Sequence, residues 1–466
     1  MHIRLAIVIC NFNKAAYLRQ CLESVFASTG LSFEHQVIVV DNASTDESVT
    51  LVKQEFPQVV LLENQQNEGG SGGFARGMEY ASDQQFSHIA LLDNDIRLES
   101  ETLISLFAYL QQNPAVGVVG SKILSMDNPQ YLQELGSYID WENFSVRVEH
   151  KGAADSPAFP AVTVCDYVPA CCLMTRLEVL QQVGSFDRRH FIYWDDMDWC
   201  WRVKQAGYEI HAISQARVYH KMGAQNLATT FASYYFERNR VLFFLKHLPE
   251  DRLAAFISHW AERCCNTLFF CQLKQTPNLA LSLLFAYEDV MSDQLFRQDG
   301  HVLPREQDSL FNQFAGTEPV YIVNTEQPEL IQPFIRYLNT QQVQCVLIQP
   351  DGPESLAEAL QDLPQIAASA VPANAPRIIV HRHISTARPA PNAMPNLYHA
   401  DPYGHLVADQ NLPAFLQQYQ RFQGMFRQIM QPVWQERFET ARQRYQQSQA
   451  VTGMLATVQQ DQCSYG

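Results

Sequence analysis

Five short apolar runs, separated by helical or polar segments, fill the first 120 residues and leave few folds open. Ile3–Cys10 is almost wholly apolar, as a strand covered on both faces requires. Ala15–Ala27 places Tyr17, Leu18, Cys21, Leu22 and Val25 at helical spacing. Val37–Val40, Val59–Leu62, His88–Leu92 and Val116–Val119 read as four further strands. Between them, Ser44-Thr45-Asp46-Glu47 predicts a helix start with Ser44 and Glu47 in a capping box. Strands alternating with helices predict an α/β protein with a doubly wound, mostly parallel sheet. Such sheets bind ligands at the carboxyl ends of their strands. Asp41, the glycine-rich stretch 69–73 and Asp93 all lie just beyond such ends.

The pattern loosens after Ser121. Tyr138–Val148 predicts a hairpin, and Val162–Met174 one strand running back beneath the strand ends. Met197–Ala206 predicts a short helix ended by Gly207, and Ile210–His220 one more strand. From Tyr234 to Phe296 the chain reads as apolar helices, through Leu242-Phe243-Phe244-Leu245, Phe256, Trp260 and Leu268-Phe269-Phe270. These fit a buried bundle, or a helix that touches a membrane surface. Residues 297–317 are polar and read as a linker. A second, smaller α/β module follows, with strands at Val320–Val323, Val343–Ile348 and Arg377–Val380, and helices over 412–460. The chain thus divides into residues 1–233, a helical extension 234–300, and a module 301–466 with C-terminal helices.

Composition narrows the function classes. A chain of 466 residues exceeds the roughly 150 of one ordinary domain. Its net charge of −16 argues against nucleic-acid binding and against docking a whole face on anionic lipid. The 11 cysteines form no C-x-x-C, which argues against a zinc or redox motif and for a reduced, intracellular protein. No run approaches the roughly 18 apolar residues of a membrane span, and the N-terminus reads as a first strand rather than a secretory leader.

Two carboxylate groups carry the chemistry. Trp194-Asp195-Asp196-Met197-Asp198-Trp199 holds three acids among aromatic rings, where repulsion and burial raise at least one pKa. Asp93-Asn94-Asp95 ends the strand His88–Leu92. Asp195 or Asp196 could instead cap the helix starting near Met197, and Asp93-Asn94-Asp95 could be an ordinary turn. Capping explains one acid of the three. One pair suited to a metal and one cluster suited to a base point to metal-assisted group transfer.

Taken in order, these motifs resemble a family 2 glycosyltransferase of the GT-A fold. Cys10-Asn11-Phe12-Asn13-Lys14 stands at the first strand-to-helix turn, and Val39-Val40-Asp41-Asn42-Ala43-Ser44-Thr45-Asp46 is similar to the nucleotide-binding turn. Asp93-Asn94-Asp95 resembles the D-x-D metal motif, and Asp195-Asp196 the acidic base pair. Asn67-Glu68-Gly69-Gly70-Ser71-Gly72-Gly73-Phe74-Ala75-Arg76, Trp194-Asp195-Asp196, Val218-Tyr219-His220 and Tyr235-Phe236-Glu237-Arg238-Asn239-Arg240 extend the likeness to bacterial galactofuranosyltransferases. Asn94 departs from it, since those enzymes have a third aspartate there.

The resemblance implies an inverting transfer of galactofuranose from UDP-galactofuranose to a bacterial surface polysaccharide such as O-antigen, capsule or galactan. Asp93, Asp95 and His220 would hold Mn²⁺ or Mg²⁺, which suits two hard oxygen ligands and offsets diphosphate charge. The imidazole leans the site towards Mn²⁺. Asn11, Asn13, Asp41, Asn42, Gly70, Gly72, Gly73, Arg76, Asp93 and Asn94 would bind the donor, with the glycine loop admitting it and Arg76 reaching a phosphate or sugar. Trp194 and Asp195 would position the acceptor, and Asp196 would be the base. The expected setting is the cytoplasm, with peripheral inner-membrane contact where the acceptor is lipid-linked. A rhamnosyltransferase using dTDP-rhamnose and a non-catalytic carbohydrate-binding scaffold are the alternatives. Gly70-x-Gly72-x-x-Ala75 also matches a dinucleotide fingerprint, but Glu63–Glu68 separates it from the preceding strand.

Overall fold

The computed structural model describes residues 3–221, 229–306, 310–314, 319–323, 328–349, 364–390, 396–402 and 405–463. Parts of the predicted linker, 307–309 and 315–317, lie outside them.

The first half runs β1 (Arg4–Asn11), α1 (Ala15–Phe26), β2 (Glu34–Asp41), α2 (Ser48–Glu55), β3 (Val60–Glu63), α3 (Gly69–Asp83), β4 (His88–Asp93), β5 (Ile96–Leu98), α4 (Thr102–Gln112) and β6 (Val116–Ser125). It continues through β7 (Leu132–Glu134), β8 (Ser137–Asp140), β9 (Ser145–Val148), β10 (Val162–Cys165), β11 (Cys172–Arg176), α5 (Leu177–Val183), α6 (Asp195–Gln205) and β12 (Glu209–His220). Three helices follow: α7 (Phe231–His247), α8 (Leu253–Lys274) and α9 (Pro277–Ser292).

Residues Leu5 to Ile9 of β1 are fully buried because both faces are covered. Leu5, Ile7 and Ile9 join a core with Leu18 and Leu22 of α1 and Leu103 and Leu106 of α4. On the opposite face Gly77 of α3 sits so close that a Cβ there would lie 2.2 Å from Val8. Each Val, Leu or Ile so buried stabilises the fold by about 1.5–3 kcal/mol, so the alternation fixes which helix takes which face.

The sheet order is β10-β12-β6-β11-β4-β1-β2-β3. β4, β1, β2 and β3 are parallel. The expected single strand Val162–Met174 is in fact two. β10 lies at the edge, antiparallel to β12, and β11 inserts antiparallel between β4 and β6. Pro169, which has no N–H for a ladder, lies between them. β8 and β9 form the predicted hairpin. The capping box does not form: α2 begins at Ser48, and Asp46 accepts from the Ser48 N–H at 3.0 Å.

The second half holds β13 (Val320–Ile322), α10 (Pro328–Thr340), β14 (Cys345–Gln349), β15 (Gln365–Ala367), β16 (Arg377–Val380), β17 (Leu397–Ala400), β18 (Leu406–Ala408), α11 (Leu412–Met425) and α12 (Gln431–Cys463). Its sheet, β15-β14-β13-β16-β17-β18, is parallel except for β18. Contacts divide the chain into residues 1–256, 282–302 and 440–466 in one unit, and 257–281 and 303–439 in another. Residues 234–300 are therefore shared between the two units rather than a separate extension, and the last residues of the expected 301–466 module go with the first unit. No helix among the described residues is long and apolar enough to cross a membrane.

Candidate active site

Parallel pairing aligns the strand ends: Asn11 faces Asp41, and Cys10 faces Asp93. Their side chains then bond to one another. Asn11 Nδ2 donates to Asp41 Oδ1 at 2.9 Å, and Asn11 Oδ1 accepts from Asn94 Nδ2 at 2.7 Å. The Ser44 N–H donates to Asp41 Oδ2 at 2.8 Å, and the Thr45 N–H to Asn13 Oδ1 at 2.7 Å. Asn42 Nδ2 donates to the Gly69 carbonyl at 2.8 Å and Asn42 Oδ1 accepts from Asn64 Nδ2 at 2.6 Å. Arg76 donates to the other side of Asn64. Asn11, Asp41, Asn42 and Asn94 are buried, so their side chains shape the strand-end turns, while Asn13 is exposed.

Three groups could hold a divalent cation. β5 leaves Asp95 at once and pairs with the end of β12, setting His220 opposite Ile96. That register brings His220 Nε2 to 3.4 Å from Asp95 Oδ1 and 3.9 Å from Asp93 Oδ2. Ligand atoms of Asp93, Asp95 and His220 all lie within 4.8 Å of one another. His220 Nδ1 meets Gln133 Oε1 at 3.0 Å, which fixes the ring and leaves Nε2 facing the acids. Lys14 Nζ lies 2.5 Å from Asp95 Oδ2, so a cation already finds a place at these oxygens. Burial and the neighbouring Asp95 push the Asp93 pKa up to about 6. Burial alone would raise Asp95, but His220 and Lys14 hold it below the usual carboxylate range. Two carboxylates and an imidazole at this spacing fit Mn²⁺ or Mg²⁺.

The acid cluster heads α6. Trp194, at φ +64°, precedes the helix and makes no side-chain cap bond, and Asp195, Asp196 and Asp198 fill the first turn. Asp195 Oδ2 accepts from Ser71 Oγ at 2.7 Å. Asp196 accepts from the N–H groups of Met197 at 2.8 Å and Ala170 at 3.3 Å. Burial, then the Asp195 charge, raises the Asp196 pKa well above the usual carboxylate range. Asp195 also bears electrostatically on Asp93, which ties the base cluster to the cation cluster.

Parts of the chain are similar to known proteins. Residues 6–176 match the profile described as "Glycosyl transferase family 2". The N-terminal domain belongs to glycosyl transferase family 2. The match ends before Asp196 and His220, so those two are placed by geometry. Galactofuranosyltransferase GlfT2 of Mycobacterium tuberculosis is 26% identical over 202 residues, covering 40% of this chain and 32% of that protein. dTDP-rhamnosyl transferase RfbF of Shigella flexneri is 24% identical over 223 residues, covering 46% and 72%. Among solved structures, mannosyltransferase PcManGT from Pyrobaculum calidifontis, in complex with GDP-Man and Mn²⁺, has a TM-score of 0.38 at 15% identity over 52% of this chain and 64% of that one. The match to GlfT2 spans only about a third of that protein's length.

The glycosyltransferase domain has the mostly parallel sheet of the GT-A type. Several of its residues stand differently from the sequence expectation. Gly70, Gly72 and Gly73 belong to the first turns of helix α3, not to a loop. A Cβ on Gly73 would lie 2.3 Å from Cys10 Sγ, so that glycine serves helix–strand contact; only Gly70 has open space around it. Trp194 is fully buried against Phe236, Phe243 and Phe244, and its ring cannot stack on an acceptor sugar in this conformation. Asp198 lies in the first turn of α6, as a charge at the helix N-terminus. It is fully buried, and although burial opposes its charge, Lys246, His247 and Arg202 hold it well below the usual carboxylate range.

The glycosyltransferase domain also uses residues the sequence did not reveal. Gln133 orients His220 from a strand of three residues, too short for a periodic signal. Ser71 stands inside the glycine run, where it read as a spacer. A second acid–imidazole group, Asp187, His190 and Asp198, lies close together, but Arg189, Lys246 and Arg202 already neutralise its acids.

Proposed function

We propose that the protein is an inverting, metal-dependent glycosyltransferase that moves galactofuranose from UDP-galactofuranose to a growing bacterial surface glycan. The observation that carries the reading is the three-ligand cation cluster at the strand ends, with Asp195, next to Asp196 in the first turn of α6, near enough to bear electrostatically on Asp93. The similarity to GlfT2 supports galactofuranose as the sugar. Asp93, Asp95 and His220 would hold Mn²⁺ or Mg²⁺, which supplies positive charge for the departing diphosphate.

Asp196 takes the proton of the acceptor hydroxyl as that oxygen bonds to the anomeric carbon. The bond from the anomeric carbon to the diphosphate oxygen breaks on the opposite side, so the configuration inverts. A raised pKa suits a base working near neutral pH. Asp195, held by Ser71, fixes the side on which the acceptor approaches. Where the acceptor is lipid-linked, the protein works at the inner face of the cell membrane as a peripheral protein.

A second donor has specific support: the RfbF match covers 72% of that enzyme, which its name assigns to dTDP-rhamnose. Transfer assays with UDP-galactofuranose, UDP-galactose and dTDP-rhamnose, each with and without Mn²⁺, separate the two. Turnover of UDP-galactofuranose alone is expected. Faster turnover of dTDP-rhamnose, with UDP-galactofuranose inert, overturns the donor, and no transfer from any donor favours a carbohydrate-binding scaffold.

A further inference from the structure

Helix α7 buries Glu237, Arg238, Asn239, Arg240 and Lys246 along with its apolar residues. Polar groups are buried only where partners meet them, so the partners reveal what the helix holds. Asn239 Nδ2 lies 2.8 Å from the carbonyl of His190, 2.6 Å from that of Ile192 and 3.0 Å from that of Tyr193. Arg238 donates to the carbonyls of His190 at 2.7 Å, Arg189 at 3.1 Å and Phe296 at 2.6 Å. Its Nε donates to Asn239 Oδ1 at 3.0 Å, which leaves the Asn239 amide turned towards the loop. Two turns further on, Lys246 reaches both Asp187 and Asp198, and His247 also reaches Asp198. Segment 187–198 is thus fastened to one helix at its start, middle and end.

That segment needs fastening. Phe191, Tyr193 and Trp194 have φ of +66°, +64° and +64°. A left-handed conformation disfavours each non-glycine residue by about 1–2 kcal/mol. Three such residues in four directly precede Asp195 and Asp196. Left alone, the turn would relax towards extended or right-handed backbone and carry both carboxylates with it.

We infer that Asn239, seconded by Arg238, is a positioning residue for transfer, holding the left-handed turn 191–194 that sets Asp195 and Asp196. Asn239 is fully buried, and its side chain bonds to Arg238 and to the carbonyls of His190, Ile192 and Tyr193. The inference rests on the reading of Asp196 as the base.

The full-length protein tests it. Asn239→Ala, Asn239→Ser and Asp196→Asn are assayed for turnover with UDP-galactofuranose, for donor KM, and for UDP binding with Mn²⁺. Asn239→Ala should lower kcat about 100-fold, the scale of a catalytic group misplaced from a distance, with donor KM and UDP affinity unchanged. Asn239→Ser keeps one donor group and should recover part of the loss. Wild-type kcat in a folded Asn239→Ala, or a parallel loss of UDP binding, overturns the inference. So does failure of both Asn239 variants to fold, which would make the residue a folding determinant alone. Full turnover by Asp196→Asn removes the base reading itself, whatever the Asn239 variants do.

Discussion

Ser71 Oγ donates to Asp195 Oδ2 at 2.7 Å, joining the first turn of α3 to the first turn of α6 across 124 residues of chain. The bond links the helix beside the strand-end turns to the helix that carries Asp196, the base under the proposed function. A hydrogen bond to a charged group contributes about 1.5–3 kcal/mol. Ser71→Ala should therefore lower kcat by roughly 10- to 100-fold. Its unfolding free energy should fall by a similar amount, about 1–3 kcal/mol. Equal kcat in the two proteins would show that Asp195 is held without Ser71.

Asp93→Ala and Asp95→Ala should each abolish transfer and weaken UDP binding in the presence of Mn²⁺. Titration calorimetry with and without EDTA reads this directly. Full activity in EDTA would contradict the cation assignment.

Asp196→Asn keeps the shape and removes the basicity. Turnover should fall roughly 10²- to 10⁴-fold while UDP and Mn²⁺ still bind. Asp198→Asn should act differently, because it strips the countercharge from Lys246 and Arg202 in a buried setting. Breaking such a pair destabilises by about 3–5 kcal/mol, so denaturant titration should reveal this variant before any assay does.

Gly73→Ala forces a Cβ to within 2.3 Å of Cys10 Sγ. Overpacking of this kind costs about 1–3 kcal/mol. Cys10→Ala in the same chain removes the sulfur and should restore part of the stability. Urea denaturation of both single variants and the double variant tests the coupling.

Burial, then the charge of Arg176, lowers the His88 pKa from 6.5 to about 4. The native state therefore holds His88 neutral, while the unfolded state gains a proton as pH drops below 6.5. The stability this group contributes is complete above about pH 6.5 and is lost as pH falls through about 4. Between pH 7 and 4.5 the loss is on the order of 2 kcal/mol. His88→Gln should show a correspondingly shallower decline in unfolding free energy over that range.

The strands β1 to β4 were legible because runs such as Leu5–Ile9 are buried on both faces and leave an uninterrupted apolar signal. Asp93, Asp95 and His220 were legible as types, yet their meeting depends on β5, three residues long, which carries no period. The insertion of β11 was hidden because an antiparallel strand in the sheet centre is as apolar as a parallel one. Trp194 misled for a related reason: an aromatic ring beside acids looks like a sugar platform, and only the left-handed turn shows that it points into the core. Arg238 and Asn239 were legible only as part of the run Tyr235–Arg240, because no hydropathy pattern announces their burial.

The bracing of segment 187–198 by α7 limits how this catalytic module can be cut or recombined. A fragment ending at residue 233 would retain the motifs from Asn11 to His220 but lose Tyr235–Arg240. It would also leave the carbonyls of His190, Ile192 and Tyr193 without their amide, and Asp198 without its ammonium. A fragment or chimaera that keeps residues 187–198 must therefore carry the whole of α7 with them.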